Sequence, residues 1–186
     1  MVQYARPDAD TDVGDWQNSD YDQDDLFSFI NEAAIDGSTG TYDDDDYIYV
    51  EDSGSGSECT ISLGSVTDPV SGSGHSVVVR AADVGGGGTI TLNVNLKDGG
   101  TSIKNENFTP GGTPGNHTMT LSTAQANNIS GSGYGNLSLV LTSTDGMSMG
   151  MECAVYFAYF TCPEAGGGGS TPIAAIAMNT YRQMRN

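Results

Sequence analysis

The sequence offers two imidazoles, three thiols and 24 carboxylates as groups that could do chemistry. Hydrolysis needs a nucleophile held against a base, or two carboxylates opposed across a cleft. His75 and His117 stand in Gly-, Ser-, Pro- and Asn-rich surroundings that read as loop or strand edge, and neither belongs to an HExxH or HxE spacing. GxSxG, P-loop and GxGxxG arrangements are absent. Acidic pairs crowd the first quarter of the chain so densely that none stands out. The expectation is a protein that is not an enzyme; a hydrolase on this sequence would need a carboxylate pair facing itself across a groove.

Among cofactors only calcium is worth weighing. Asp8, Asp10 and Asp12 alternate as at the start of an EF-hand loop, but the glycine falls at Gly14, one residue late, and Ser19 stands where the bidentate glutamate belongs. Asp43, Asp44, Asp45 and Asp46 are weak calcium candidates, because a run of like charges is usually a solvated loop. Asp20, Asp22, Asp24 and Asp25 read more simply as the acidic start of a helix. Cys59, Cys153 and Cys162 have no CxxC spacing and form neither a zinc set nor a disulfide framework. Cys153 reads as a small core residue sharing a strand face with Val155 and Phe157, with a Cys59 to Cys153 disulfide left open.

Aromatic rings are the other candidates, since a sugar ring stacks on an exposed aromatic face. Tyr134 and Tyr156 are possible glycan contacts, with Trp16 and Phe160 beside them. The bland alternative is that the N-terminal helix covers these rings. N-x-S/T triplets at Asn107, Asn116, Asn128 and Asn136 arise readily in so Ser-, Thr- and Asn-rich a chain.

Charge narrows the partners. The net charge is −18, and the Lys and Arg residues are only Arg6, Arg80, Lys97, Lys104, Arg182 and Arg185. Phosphate contacts need many more, so nucleic acid is not expected, and an anionic membrane would repel the chain. Sixteen of the carboxylates lie in the first 52 residues, so the charge belongs to the head of the chain. No segment reads as a signal peptide or a membrane span, and the expectation is a soluble product made in a bacterial cytoplasm.

These groups must be positioned by strands. Apart from an expected helix over residues 24–35 and a turn at 123–128, hydrophobic alternation of period two dominates. Cys59, Ile61 and Leu63 form one such set, and Ile90, Leu92, Val94 and Leu96 another. Further strands are expected at 47–50, 77–79, 101–108, 118–121, 136–142 and 147–161, with the glycines at 85–88 suggesting a hairpin. In the long last strand, Met149, Met151, Cys153, Val155, Phe157 and Tyr159 would share one face. About eight strands without crossover helices mean an antiparallel sheet, and the fold class expected is mostly β, a two-sheet jelly-roll-like sandwich. The expected units are an acidic N-terminal arm with a short helix (1–46), the sandwich (47–164), and a Gly-rich tether with an amphipathic helix (165–186).

That last helix is well signalled. Thr171 precedes Pro172, a good N-cap and first-turn pair, and Ile173, Ile176, Ala177, Thr180, Tyr181 and Met184 follow at steps of three and four. A helix of about 14 residues is marginal alone in water, so its stripe must dock on its own sandwich or on a partner. Ile173, Ile176, Tyr181 and Met184 are therefore candidate assembly residues, with Arg6, Trp16 and Phe27 of the head as second choices.

A family resemblance points the same way. Tyr4-Ala5-Arg6-Pro7-Asp8 with Asp12, Gly14 and Trp16, then Phe27, Ile30, Glu32 and Asp44-Asp45-Asp46-Tyr47-Ile48, resembles the start of small jelly-roll-like structural proteins of tailed bacteriophages. Thr120-Leu121-Ser122-Thr123-Ala124-Gln125-Ala126 followed by Leu137-Ser138-Leu139 is similar to a later passage of the same group. The resemblance implies a non-enzymatic virion component that binds other virion proteins and itself, as a capsid decoration or head-associated subunit or as a tail or fibre adaptor. It supplies no catalytic residue. The competing expectation is a carbohydrate-binding β-sandwich that adheres to host surface glycans.

Overall fold

The computed structural model describes residues 1–31, 44–51, 56–85, 89–144 and 152–165. Ile173, Ile176, Tyr181, Met184, Asp43 and the glycines at 166–169 lie outside them, and so does the expected C-terminal helix.

Two antiparallel sheets pack face to face. One is ordered β3 (Gln17–Asn18), β4 (Ile48–Glu51), β11 (Glu152–Pro163), β6 (Ser76–Asp83), β9 (Gly115–Thr120), with β1 (Val2–Ala5) also paired to β11. The other is ordered β2 (Pro7–Asp12), β5 (Ser57–Leu63), β10 (Leu137–Thr144), β7 (Thr91–Asp98), β8 (Thr101–Phe108). The mostly-β, two-sheet sandwich expected from the alternation is what the chain forms. In β7, Leu92, Val94 and Leu96 are fully buried while Asn93, Asn95 and Lys97 face outward, the alternation expected of a strand with one wet face. β7 and β8 join through Gly99 and Gly100, with Gly99 at a φ of 55° that a side chain would strain.

The two short helices have visible causes. α1 (Leu26–Phe29) begins where the Asp10 carboxylate of β2 accepts hydrogen bonds from the amides of Leu26 (2.7 Å) and Phe27 (2.8 Å), two donors that a helix start leaves free. α2 (Thr123–Ala126) carries a capping box: Ser122 accepts from the Gln125 amide, and the Gln125 side chain accepts from the Ser122 amide at 2.9 Å.

Several expectations are corrected. Residues 1–46 are not simply an acidic arm, because β1 lies in one sheet and β2 in the other, the chain changing sheets at Arg6. The helix expected over 24–35 stops at Phe29, where Ile30 leaves the helical region (φ −127°, ψ 11°) and its carbonyl accepts the Ala158 amide of β11 (3.2 Å). β6 and β7 do not form a hairpin, since they belong to opposite sheets. The strict alternation expected in β11 is broken by a bulge at Tyr156, where the register with β6 steps from Val155↔Ala81 to Phe157↔Arg80. An extra residue reverses the phase of everything beyond it. Cys153 and Val155 face the core before the bulge and Ala158, Phe160 and Cys162 after it, while Phe157 no longer shares a face with Cys153.

All three cysteines are free and buried, so no Cys59 to Cys153 bridge exists. Burial pushes each thiol up, Cys59 and Cys153 to about 12 and Cys162 to about 11. They behave as core residues and not as nucleophiles.

Candidate functional site

A groove of about 360 Å3 runs over the outer face of the second sheet, at the end where β5 and β7 finish and β10 begins. Its floor is a register-matched row of Ser62, Ser138 and Lys97 on three adjacent strands. Asp8 and Thr11 of β2 close one side, brought there by the register shifts that interrupt the pairing of β2 with β5. Gly99, Gly100 and Gly135 keep the end of the groove low, with Asn136 and Ser65 beside them. A Cβ on Gly100 would meet nothing within 4 Å.

What separates this half of the sheet from the other is the use of its polar groups. Toward β8, Asn93 donates to Asn105 and Asn107, and Asn95 bonds Ser102, so those amides satisfy one another. Within the groove Thr11 and Ser62 share one hydroxyl contact of 3.0 Å. The side chains of Asp8, Thr60, Ser65, Lys97, Asn136 and Ser138 form no hydrogen bond with the described residues. Donors and acceptors left unused and converging on one depression are what a site for a hydroxyl-rich ligand requires.

Charge is arranged along the groove. Of the four cations among the described residues, Arg80 pairs with Asp44 (2.6 Å) and Lys104 with Glu106 (2.9 Å), whereas Lys97 has no carboxylate within ion-pair distance. Three strand spacings separate β2 from β7, about 14 Å, so Asp8 and Lys97 mark opposite ends. Among the described residues Asp8 is the only carboxylate in the lining, and no histidine or cysteine joins it. Paired-acid glycoside hydrolysis, which needs two carboxyls, has no such pair here.

Directly behind the rim lies a buried polar pair. His75, 1% exposed, places Nδ1 3.1 Å from the Ser73 carbonyl and Nε2 2.7 Å from the Tyr134 hydroxyl. A carbonyl only accepts, so Nδ1 carries the proton and donates, and Nε2 accepts from the tyrosine. Burial lowers the His75 pKa, partly offset by the Ser73 bond and by Asp68. Burial pushes Tyr134 up to about 12, with smaller contributions from Asp68 and Cys162.

The sequence-selected residues fall elsewhere. Tyr134 and Tyr156 are 4% and 5% exposed, and Trp16 and Phe160 are fully buried. None offers a face to a sugar in this structure. Tyr134 serves His75, and Trp16 donates from Nε1 to the Ser57 carbonyl at 3.1 Å. That burial equally removes Trp16 as an assembly contact. Phe27 is partly buried against the core, and Arg6 is half-buried at the sheet change with Nε unbonded. The calcium candidates are dispersed: Asp44 binds Arg80 through both oxygens, Asp45 and Asp46 are exposed, and Asp10 caps α1. His117 is half-buried in β9, the edge strand of its sheet, beside the Phe108 ring, which agrees with the strand-edge expectation.

Sequence reasoning missed the groove residues Asp8, Thr60, Ser62, Lys97, Asn136 and Ser138. Alternation had placed Asn93 and Asn95 outward, and Lys97 follows at the same spacing just before the Gly99-Gly100 turn; that was the available signal. It also missed a row of rings on the outer face of the first sheet, where Tyr4 meets Tyr159, Tyr159 stacks on Phe157, and Tyr47 joins Tyr156 and Tyr49. The exposed end of that row is β1, with Met1 97%, Val2 49% and Tyr4 49% exposed.

No family model and no curated protein matches the chain. Among solved structures it is similar to the module TmCBM61 in complex with β-1,4-galactotriose, at 10% identity and TM-score 0.40, over 80% of this chain and 89% of that one. It is also similar to the xylan-binding module CBM15, at 8% identity and TM-score 0.42, over 89% and 99% of the two chains. A third is the enzymatically active domain of tailspike protein 4 from bacteriophage CBA120, at 11% identity and TM-score 0.41 over 86% of this chain, which spans only 19% of that structure. Likeness at this level assigns no ligand.

Proposed function

We propose that this chain is a non-enzymatic β-sandwich module that binds an oligosaccharide in the groove between Asp8 and Lys97. The observation that carries this is the set of unengaged hydroxyl, amide and charged side chains converging there while the neighbouring amides of the same sheet face bond each other. Sugar hydroxyls both donate and accept, which suits Ser138, Thr60 and Asn136. Lys97 at one end selects a sugar bearing a carboxylate, and Asp8 at the other accepts from hydroxyl or amino groups, so charge fixes the direction of the bound chain. Lys97→Met should weaken a uronate-bearing oligosaccharide at least about tenfold, the loss of one charged hydrogen bond of about 1.5–3 kcal/mol. Neutral oligosaccharides should be much less affected. Calorimetric titration of both classes tests this; a panel in which nothing binds, or binding indifferent to Lys97→Met and Asn136→Ala together, overturns the reading.

A second reading, compatible with the first, is a subunit of a phage virion that assembles through its terminal segments. It is favoured by the exposed Met1 and the exposed Val2 and Tyr4 of β1, and by the Glu164 amide donating to the Met1 carbonyl (3.2 Å), which brings β1 and the end of β11 together. Removal of residues 166–186 should leave a folded sandwich of lower oligomeric mass by light scattering; an unchanged mass would argue against the tail as an assembly element.

A further inference from the structure

Tyr134 is the middle residue of a single 3-10 turn, Gly133–Gly135, whose next two residues, Gly135 and Asn136, line the groove. Its side chain points the other way, into the core, to His75. Its backbone ties three loops together: the Tyr134 carbonyl accepts from the Val66 amide (3.0 Å), next to the lining residue Ser65, and the Asn136 carbonyl accepts from the Gly99 amide (3.1 Å). One ring on one turn thus sits between a buried imidazole and much of the groove's rim.

In the neutral tautomer both ring nitrogens of His75 are used. A proton added at Nε2 leaves the ring with two donors, and the tyrosine hydroxyl must then turn its own proton away from a ring that is enclosed by Phe160 and Tyr134. The titratable groups that act on the imidazole are Tyr134, which bonds it, and Asp68 of the 64–75 loop, while Cys162 of β11 acts on Tyr134. Tyr134 and Cys162, pushed up to about 12 and about 11, stay neutral, which leaves Asp68 as the one carboxylate to offset a new positive charge.

We propose that His75, acting through the Tyr134 hydroxyl, is a positioning residue for the groove: the neutral imidazole holds the 3-10 turn and the rim it carries, and protonation releases them and weakens glycan binding. This regulation rests on the groove being the glycan site. The loop carries a second sign of constraint, since Val70, a β-branched residue, is held at a φ of 54° beside a depression of about 270 Å3 that Asp68 and Tyr134 also line.

The test uses amide NMR spectra of the full, isotope-labelled chain between about pH 8 and about pH 5, the range in which histidines switch. The amides of Ser65, Gly99, Gly135 and Asn136 should shift together with the His75 ring. The Kd for whichever member of a panel of neutral and uronate-bearing oligosaccharides moves those amides at neutral pH should rise by up to about tenfold per pH unit below the His75 midpoint. His75→Gln should abolish the coupled shifts. If that variant does not fold, Tyr134→Phe removes only the hydroxyl, and His75 should then titrate without the rim following.

Rim amides that stay still while His75 titrates, or that follow it equally well in Tyr134→Phe, overturn the proposal. Sugar binding that ignores pH overturns the regulation and leaves the glycan site standing. A panel in which no oligosaccharide moves any groove amide overturns the glycan site and the regulation with it.

Discussion

Gly133 shows how a single position can be settled by what lies next to it. A Cβ built there would enter the carboxylate of Asp98, which itself accepts hydrogen bonds from the amide and hydroxyl of Ser130 at 3.1 and 3.0 Å. The carboxylate therefore has little freedom to retreat. Gly133→Ala is expected to lower stability by about 1–3 kcal/mol, the usual cost of overpacking, read as a fall in the denaturation midpoint with the denaturant slope unchanged. Gly100→Ala, at the open end of the same groove, meets nothing and serves as the control for removing a glycine. At this scale the sequence was a poor guide to roles. Tyr134 and Tyr156 were legible as aromatic but not as buried, because exposure depends on which strand comes to lie alongside.

Among the elements, β11 decides most. It is the central strand of its sheet, flanked by β6 on one side and by β4 and β1 in succession on the other, with the Ile30 carbonyl filling the interval between those two. Its bulge reverses which residues face the core, and the strand is buried on nearly its whole length. Deleting Tyr156 removes the extra residue and lets simple alternation keep Ala158, Phe160 and Cys162 inward, so the variant is expected to keep cooperative unfolding by circular dichroism, with a midpoint lowered by the loss of the Tyr156 ring from its contact with Tyr47. A deletion variant with a wild-type melting curve would show that the bulge is dispensable. Where only alternation was needed, as in β7, the strand could be read directly from its residues. A bulge leaves no mark in composition, since Val155, Tyr156 and Phe157 are all good strand formers.

Across the whole molecule the two imidazoles set a pH dependence. Burial lowers the pKa of both His75 and His117 in the folded protein, so the unfolded chain binds protons more readily. Stability is then fully present above the ordinary histidine value of about 6.5 and is lost as pH falls below it toward the lowered folded values. Thermal unfolding followed from about pH 7.5 to about pH 5 should show a falling midpoint in the wild type. The fall should be smaller in His75→Gln, where only His117 is left to titrate.

Composition and periodicity determined by themselves that this chain makes antiparallel strands, that β7 and β5 are wet on one face, that Ser122 to Gln125 start a helical turn, and that the head carries the acid. Those properties are local, carried by residues two to four positions apart. Only the tertiary structure decided that β1 and β2 split between the sheets, that Asp10 caps α1 from another element, and that the rings selected for stacking lie in the core. It alone brought Asp8, Ser62, Ser138 and Lys97 to one groove. Each of these depends on pairings between strands far apart in sequence, where several registers satisfy the same alternation and packing of the two sheets selects one.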